Sequence, residues 1–311
     1  MKRAMLGFGI VVLLLLAFAG YRGLRDAQFT KEHAPPGQLL ATPSGNVHAL
    51  VRAGPGRTVL FVHGNPGLAL DFAPVMAALP AQLNLIAVDR PGYGWSDRPQ
   101  ADMSPLQQAE MLRAAVAGLK VQKPLLVGFS FGGPVVLAWA QAHAEEVSAL
   151  VLLGAVADPH APHTLSTAQS MLAWPLWGTF MSRVIAPFLA PSAIAHGYVD
   201  AFFPKPVDAE VIARGQLHFA RPSTLQASAR DWQVLNADLG QLEKNGRAVQ
   251  VPVEALYANQ DRVVGLSHGK FVETSVPGAH VEYVEQAGHQ LMSTHTQVVV
   301  ATVQRALERS K

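Results

Sequence analysis

Short apolar runs alternate with helical segments along most of this 311-residue chain, and this alternation limits the fold more than any other feature. The predicted strands are Thr58–Val62, Leu83–Val88, Pro124–Val127, Val147–Leu153, Val251–Tyr257 and Val281–Glu285, preceded by a hairpin of Gln38–Thr42 and Val47–Arg52. Between strands, Ser104-Pro105-Leu106-Gln107 is typical of a helix start, with an N-cap serine and a capping-box glutamine. The pattern predicts an α/β fold with a mostly parallel sheet between two layers of helices.

The N-terminus carries an apolar segment before this pattern begins. Lys2 and Arg3 precede 18 uncharged residues, Ala4–Tyr21, which as a helix would extend about 27 Å, close to the thickness of a hydrocarbon core. We interpret residues 1–21 as a signal-anchor that holds the protein in a membrane. The alternative is a signal peptide cleaved near Ala19, since Ala17-Phe18-Ala19 fits a small-residue cleavage site. Both readings place the remaining chain on the exported side, periplasmic or extracellular.

Residues 22–37 separate this segment from the predicted domain. They contain several charges and the pair Pro35-Pro36, which favours an exposed tether. The folded domain is then expected over residues 38–311.

The alternation of strands and helices breaks down between Val156 and Leu235. Thr164–Val199 carries a single charge, Arg183, and several prolines that argue against a second membrane span. Because the strand pattern resumes at Val251, we predict an inserted helical lid over residues 156–235. Its aromatic residues Trp174, Trp177 and Phe180 are candidates for the wall of a substrate pocket.

The candidate nucleophile is a serine placed directly between a predicted strand and a predicted helix. Gly128-Phe129-Ser130-Phe131-Gly132 follows the strand that ends at Val127. A Gly-x-Ser-x-Gly sequence in this context is typical of a nucleophile elbow, in which a sharp turn lifts the serine to the start of a helix.

A serine nucleophile needs a base and an acid that orients it. His289 follows the last predicted strand, and Asp261 follows the strand before it. Both then lie at the carboxyl edge of the sheet, where sites in parallel sheets assemble. Asp158, after the strand that ends at Leu153, is the rival candidate for the acid.

Two backbone amides are expected to stabilise the oxyanion of an acyl-transfer reaction. One belongs to Phe131, the residue after the nucleophile, and the other to Asn65 in the loop His63-Gly64-Asn65-Pro66-Gly67.

Taken together, these motifs resemble the α/β-hydrolase superfamily, in particular its membrane-tethered bacterial members with a short helical cap. The resemblance rests on the loop after His63, the run Asp89-Arg90-Pro91-Gly92-Tyr93-Gly94-Trp95-Ser96-Asp97, the elbow at Ser130, Asp261 and Gly288-His289. It implies a serine hydrolase, a carboxylesterase or a lipase-like enzyme, that needs neither metal nor organic cofactor. Haloalkane dehalogenases and epoxide hydrolases resemble the chain too, but they use an aspartate where this sequence has Ser130.

Composition narrows the remaining classes. The absence of cysteine excludes disulfides and thiolate metal sites, and a net charge of +2 gives no reason to expect nucleic-acid binding. The expected partners are a small-molecule ester, with an apolar acyl group, and a membrane; the oligomeric state is left open. Alternative functions are hydrolysis of a C–C bond or an amide on the same fold, or a non-catalytic binding module.

Overall fold

A computed structural model describes residues 2–119 and 121–310. Met1, Lys120 and Lys311, which belong to the predicted anchor and the predicted domain, lie outside the described residues. The strands are β1 (Gln38–Thr42), β2 (Gly45–Arg52), β3 (Thr58–Val62), β4 (Asn84–Val88), β5 (Leu125–Phe129), β6 (Ala149–Leu153), β7 (Val253–Ala258) and β8 (Ala279–Val284). The helices are α1 (Lys2–Glu32), α2 (Ala73–Ala78), α3 (Pro105–Ala117), α4 (Gly132–Ala142), α5 (Thr167–Ala173), α6 (Pro175–Phe180), α7 (Ala186–Phe202), α8 (Ala209–Phe219), α9 (Pro222–Ala237), α10 (Leu239–Arg247), α11 (Leu266–Ser275), α12 (Leu291–Thr294) and α13 (Thr296–Arg309).

The eight strands form one sheet in the order β1-β2-β4-β3-β5-β6-β7-β8. The pairs β1/β2 and β2/β4 are antiparallel, and every later pair is parallel. The predicted α/β class and mostly parallel sheet are therefore confirmed. The carboxyl ends of β3 and β5 to β8 lie along one edge of this sheet, so the loops that follow them converge there.

Helices cover both faces of the sheet because its central strands are apolar on both sides. In β3, Leu60 and Val62 pack with α3 and α4, whereas Val59 and Phe61 pack with α2 and α13. This pattern is typical of parallel strands, which are buried on both faces. The two apolar layers hold the carboxyl edge of the sheet in a fixed arrangement.

The predicted insertion is a set of five helices, α5 to α9, between β6 and β7. A five-residue π-helical turn, Met181–Ile185, joins α6 to α7. Helix α10 then returns to the body and packs against α4. We call α5 to α9 with the π-helical turn the helical insertion.

The N-terminal helix extends beyond the predicted anchor, so residues 22–32 of the predicted tether, 22–37, are helical and residues 33–37 connect the helix to β1. Residues 22–32 continue α1 and pack on the helical insertion. Asp26 accepts hydrogen bonds from Arg221 Nε at 2.8 Å and from the Ser223 backbone N–H at 2.8 Å. The buried Phe29 ring lies 4.0 Å from the Arg221 guanidinium. Among the described residues, one helix is long and apolar enough to cross a membrane, with its apolar stretch starting at Met5; a signal sequence would also meet this criterion.

Candidate active site

Ser130 occupies a strained turn between β5 and α4. Its φ of 52° lies in the left-handed region, which residues other than glycine seldom adopt. Three backbone hydrogen bonds hold it there: its N–H donates to Leu153 O at 3.0 Å, and its C=O accepts from Gly133 at 3.0 Å and Val156 at 3.1 Å. Strain of this kind persists only where the surroundings fix the backbone, and it is concentrated at functional sites.

The two glycines that flank Ser130 are required by close packing. A Cβ on Gly128 would lie 2.6 Å from Val136 Cγ2, and a Cβ on Gly132 would lie 2.1 Å from Val62 O. Helix α4 thus begins in direct contact with β3 and β5. The Gly-x-Ser-x-Gly sequence is explained by this contact at the start of α4.

His289 and Asp261 form a hydrogen-bonded pair at the carboxyl ends of the neighbouring strands β7 and β8. His289 Nδ1 lies 2.7 Å from Asp261 Oδ2, and both side chains are buried. The other carboxylate oxygen accepts backbone N–H groups of Val263 at 2.7 Å and Val264 at 2.8 Å. Because a carboxylate only accepts, Nδ1 carries the proton and Nε2 is left as the basic nitrogen.

Ser130 and His289 line the same cavity. Among the described residues no hydrogen bond joins Ser130 Oγ to His289 Nε2, an arrangement that is common in ligand-free sites, where such bonds often shorten only in the substrate complex. The Phe129 ring lies 4.7 Å from the His289 ring and supports it from the side of β5.

Asp158, the rival acid, takes part in a different set of contacts. Its backbone N–H donates to His268 Nδ1 at 2.8 Å, and its Oδ1 accepts from the His160 N–H at 2.9 Å. The structure therefore brings Asp261, and not Asp158, to His289.

The two predicted oxyanion amides have no hydrogen-bond partner among the described residues. Within residues 2–119 and 121–310, the backbone N–H groups of Asn65 and Phe131 donate no hydrogen bond to the protein. The Asn65 side chain is already hydrogen-bonded to α9: its Nδ2 donates to Ser228 O at 3.0 Å, and its Oδ1 accepts from Ser228 Oγ. The Phe131 ring is buried against Trp232 of α9, with ring centres 5.1 Å apart.

Arg90 fixes the loop that contains Asn65, a role that the sequence analysis did not assign. The buried guanidinium donates to His63 O at 3.0 Å and to Gly64 O at 2.8 Å. It also forms an ion pair with Asp231 of α9 at 2.7 Å, with both side chains fully buried. Burial and the Arg90 charge lower the pKa of His63 to about 3, so this imidazole is neutral. The run that begins at Asp89 contains Arg90 and so could have indicated this role. The ion-pair partner of Arg90, Asp231, lies far away along the chain.

The cavity above the sheet has a volume of about 580 Å³, within the range of small-molecule sites. The helical insertion supplies most of its wall, and the body supplies Ser130, His289 and Asn65. The apolar wall residues include Leu172, Met181, Ile185, Leu189, Ile194 and Leu225.

The predicted pocket residues Trp174, Trp177 and Phe180 do not line this cavity. Trp174 and Trp177 are exposed, and the Trp177 ring stacks on Phe180 at 5.2 Å. The prediction is corrected: Trp174 and Trp177 point to solvent, whereas the cavity is lined by side chains of α5, α7, α9 and the π-helical turn.

Asp71, in the 3-10 turn Ala69–Phe72 that precedes α2, also lines the cavity. Asp71 Oδ2 accepts the Leu68 backbone N–H at 2.8 Å. Burial raises the pKa of Asp71 to about 6, although Arg214 nearby acts in the opposite direction. Asp71 and Asp200 are the acidic residues among those that line the cavity.

One cluster of potential metal ligands lies elsewhere. His143, Glu145 and Glu146 have ligand atoms within 4.8 Å of one another. His143 Nε2 already contacts Glu110 at 2.5 Å, and Glu146 contacts Arg113 at 3.4 Å. These residues precede β6 and so lie at the amino edge of the sheet, opposite the cavity.

Comparison with known proteins gives the same fold. The family model for the alpha/beta hydrolase fold matches residues 57–296. An uncharacterized protein of Mycobacterium tuberculosis is 25% identical over 282 residues, covering 85% of this chain and 79% of that protein. Human monoacylglycerol lipase is 25% identical over 265 residues, covering 78% of this chain and 72% of the lipase.

Among solved structures, an esterase from Exiguobacterium antarcticum superposes with a TM-score of 0.71 at 20% identity, covering 88% of this chain and all of the esterase. Since the family model spans most of the folded domain, the chain belongs to the α/β-hydrolase fold family.

Proposed function

We propose that this protein is a serine hydrolase that cleaves a carboxylic ester through an acyl-enzyme. The observation that carries the proposal is the arrangement of Ser130 on its strained elbow with the His289–Asp261 pair at the same cavity. Each of the three follows a different strand, yet all reach the carboxyl edge of the sheet. Hydrolysis is the chemistry expected of the family, and the serine mechanism is the part proposed here.

In the proposed reaction, Ser130 Oγ attacks the ester carbonyl while His289 Nε2 takes the hydroxyl proton. The imidazolium that forms is stabilised by Asp261 and gives its proton to the departing alcohol. A water molecule then attacks the acyl-enzyme, with His289 again acting as base, and releases the acid and the free serine. No step requires a metal or an organic cofactor.

The oxyanion formed in each half-reaction would accept hydrogen bonds from the Asn65 and Phe131 amides. Loss of one such donor costs about two to three orders of magnitude in rate in other serine hydrolases. Arg90 acts as a positioning residue in this scheme, because it holds the carbonyls of His63 and Gly64 just before Asn65.

The substrate is proposed to carry an apolar acyl chain. The aliphatic wall of the cavity supports this, since each buried CH₂ contributes about 0.8 kcal/mol. The names of two similar proteins, an esterase and a monoacylglycerol lipase, point the same way. Medium-chain p-nitrophenyl esters should therefore have higher kcat/KM than the acetate, and a steady fall from acetate onward would contradict an acyl pocket.

We also propose that residues 1–21 anchor the enzyme in a membrane with the hydrolase domain on the exported side. The apolar stretch that begins at Met5 supports this proposal. N-terminal sequencing of the membrane-bound protein tests it, because retention of the segment leaves the start of the chain intact. A mature protein that begins at Gly20 would instead show cleavage after Ala19.

Labelling with a fluorophosphonate tests the nucleophile directly. The wild type should gain one covalent adduct by intact mass, and Ser130→Ala should gain none while remaining folded. Ser192→Ala, an exposed serine of α7, is the matched control and should label normally. A Ser130→Ala variant that kept more than about a hundredth of the ester turnover would exclude Ser130 as the nucleophile.

A further inference from the structure

The helical insertion exposes apolar side chains on its outer side. Leu176 of α6 is 90% exposed and Phe188 of α7 is 75% exposed, and Trp174, Trp177 and Leu189 are exposed beside them in the sequence. We call these five residues the outer patch. Exposed apolar groups of this size on a folded domain indicate an interaction surface.

The outer patch adjoins the apolar N-terminal helix. The Phe188 ring stacks on Phe18 of α1 with centres 6.2 Å apart. The π-helical turn that links the two halves of the outer patch also packs against α1. Apolar surface therefore runs from α1 onto the insertion without a polar boundary at this contact.

Basic side chains mark the point where α1 becomes polar. The Arg183 guanidinium lies against α1 at Gly23, where a Cβ would be 2.8 Å from Arg183 Cζ. Arg22 is on the same turn of α1. Arg25 pairs with Glu32 at 2.8 Å, whereas in the described part of the chain no carboxylate forms an ion pair with Arg22 or Arg183. Arginines that have no carboxylate partner and adjoin apolar surface are typical of the boundary between acyl chains and phosphate headgroups.

We infer that the outer patch is seated in the surface of the same phospholipid bilayer that α1 enters, with Arg22 and Arg183 at the level of the phosphates. The occupant of the patch is thus lipid, and not a second copy of the chain or another protein. Continuity with the apolar helix carries this choice, because α1 brings the patch to a membrane whenever it is inserted.

This placement has a consequence for the substrate, which rests on the proposed function. Leu189 belongs to the outer patch and also lines the cavity. Ile185 and Ala186, about one turn earlier, line the cavity too. The wall between the cavity and the bilayer is therefore a single helical layer. An amphiphilic ester would enter the cavity from the membrane, its acyl chain passing from lipid to the apolar wall.

The chain has no cysteine, so single cysteines can report where each surface lies. Leu176→Cys and Phe188→Cys, labelled with an NBD fluorophore in the full-length protein, are reconstituted into vesicles of phosphatidylcholine and phosphatidylglycerol. Brominated acyl chains in those lipids should quench both labels, as they should Leu14→Cys in α1. Ala142→Cys, at the end of α4 on the opposite edge of the sheet, should not be quenched.

Three results of this experiment would overturn the inference. One is quenching at Leu14→Cys without quenching at Leu176→Cys and Phe188→Cys, which would put the patch outside the bilayer. Another is a blue-shifted but unquenched label at both patch positions, which would mean that protein covers them. Failure to quench Leu14→Cys would equally overturn it, since α1 would not be inserted.

Kinetics separate this inference from the proposed function. Leu176→Ser with Phe188→Ser should lower turnover of a long-chain ester embedded in vesicles by about tenfold, equivalent to about 1.4 kcal/mol. Turnover of water-soluble p-nitrophenyl acetate should be unchanged, because neither residue lines the cavity. Equal loss on both esters would overturn the inference. Quenched patch labels without any ester turnover would instead refute the proposed function and leave the membrane contact standing.

Discussion

At the scale of single residues, the two candidate acids differ in what they contact. Asp261 holds His289 Nδ1 at 2.7 Å, whereas Asp158 caps a turn and its N–H bonds to His268. Asp261→Asn should lower kcat by about three to four orders of magnitude with little effect on thermal unfolding, because the imidazole loses its counter-charge and its correct tautomer. Asp158→Asn, the matched control, should cost less than about tenfold. The reverse order of the two losses would assign the acid to Asp158.

Also at the scale of single residues, the stability of the folded protein should depend on pH through the Asp71 carboxyl. Its pKa is raised to about 6 by burial, above the value of about 3.9 in an unfolded chain. The folded state therefore favours the protonated form, and this stabilising contribution is full below about pH 4 and lost as the pH rises through about 6. Asp71→Asn cannot ionise and can still accept the Leu68 N–H.

The melting temperature of Asp71→Asn should accordingly rise relative to that of the wild type as the pH is raised from about 4 to 7. Thermal unfolding of both proteins in matched buffers measures the difference. A constant difference across this range would show that the Asp71 carboxyl is not desolvated in the folded protein.

All three positions of the proposed triad could be predicted from the sequence, because each lies within a few residues of a strand end. The chain order and the strand pattern placed Ser130, Asp261 and His289 at the sheet edge that they occupy. The pocket wall could not be read in the same way. Trp174 and Trp177 were chosen for their apolar character, but which side of a helix faces the sheet depends on how the helices of the insertion pack.

At the scale of elements, Asp231 of α9 forms ion pairs with Arg90 and with Arg98, and the fully buried pair with Arg90 ties α9 to the loop before Asn65. Asp231 accepts from Arg90, from Tyr93 OH at 2.9 Å and from Gln108 Nε2 at 3.1 Å. Removing one partner of such a pair leaves a buried charge without compensation. Helix α9 also carries Ser228 and Trp232, so the position of the oxyanion loop depends on how this helix is seated.

Asp231→Asn should therefore lower the free energy of unfolding by about 3 kcal/mol or more and reduce kcat as Asn65 shifts. The matched control is Asp102→Asn, whose partner Arg230 is also on α9 but whose own side chain is 64% exposed. That exposed pair should contribute less than about 1 kcal/mol. Chemical denaturation of both variants tests this, and equal losses would contradict a special role for the buried pair.

Helices could be predicted from the sequence where local patterns, such as capping residues, agree with the tertiary packing. The capping box at Ser104 is confirmed, since Ser104 Oγ accepts the Gln107 N–H at 3.2 Å and starts α3. The C-terminal half of α1 was not predictable, because its charges and the following prolines resemble a spacer. Its helical form is stabilised by Asp26 and Phe29, whose partners Arg221, Ser223 and His218 are nearly 200 residues away along the chain.

At the scale of the whole molecule, α1 has two parts with different partners. The stretch before Phe18 is exposed, and the turns from Gly23 to Glu32 pack on the helical insertion. The hydrolase domain would therefore be held close to a membrane surface by a docked helix rather than by a loose tether. If α1 enters a membrane, as proposed, this docking determines which side of the domain faces the lipid.

Two truncations separate the membrane role of α1 from its packing role. Removal of residues 1–20 should give a soluble, active enzyme with unchanged thermal stability, because Asp26 and Phe29 remain in contact with Arg221. Removal of residues 1–32 also takes away a buried aromatic ring and the partner of Arg221, and should cost about 2 to 4 kcal/mol of unfolding free energy. Equal stability of the two truncated proteins would mean that the docked turns contribute nothing to the fold. In that case the orientation of the domain at the membrane would have to come from the outer patch alone.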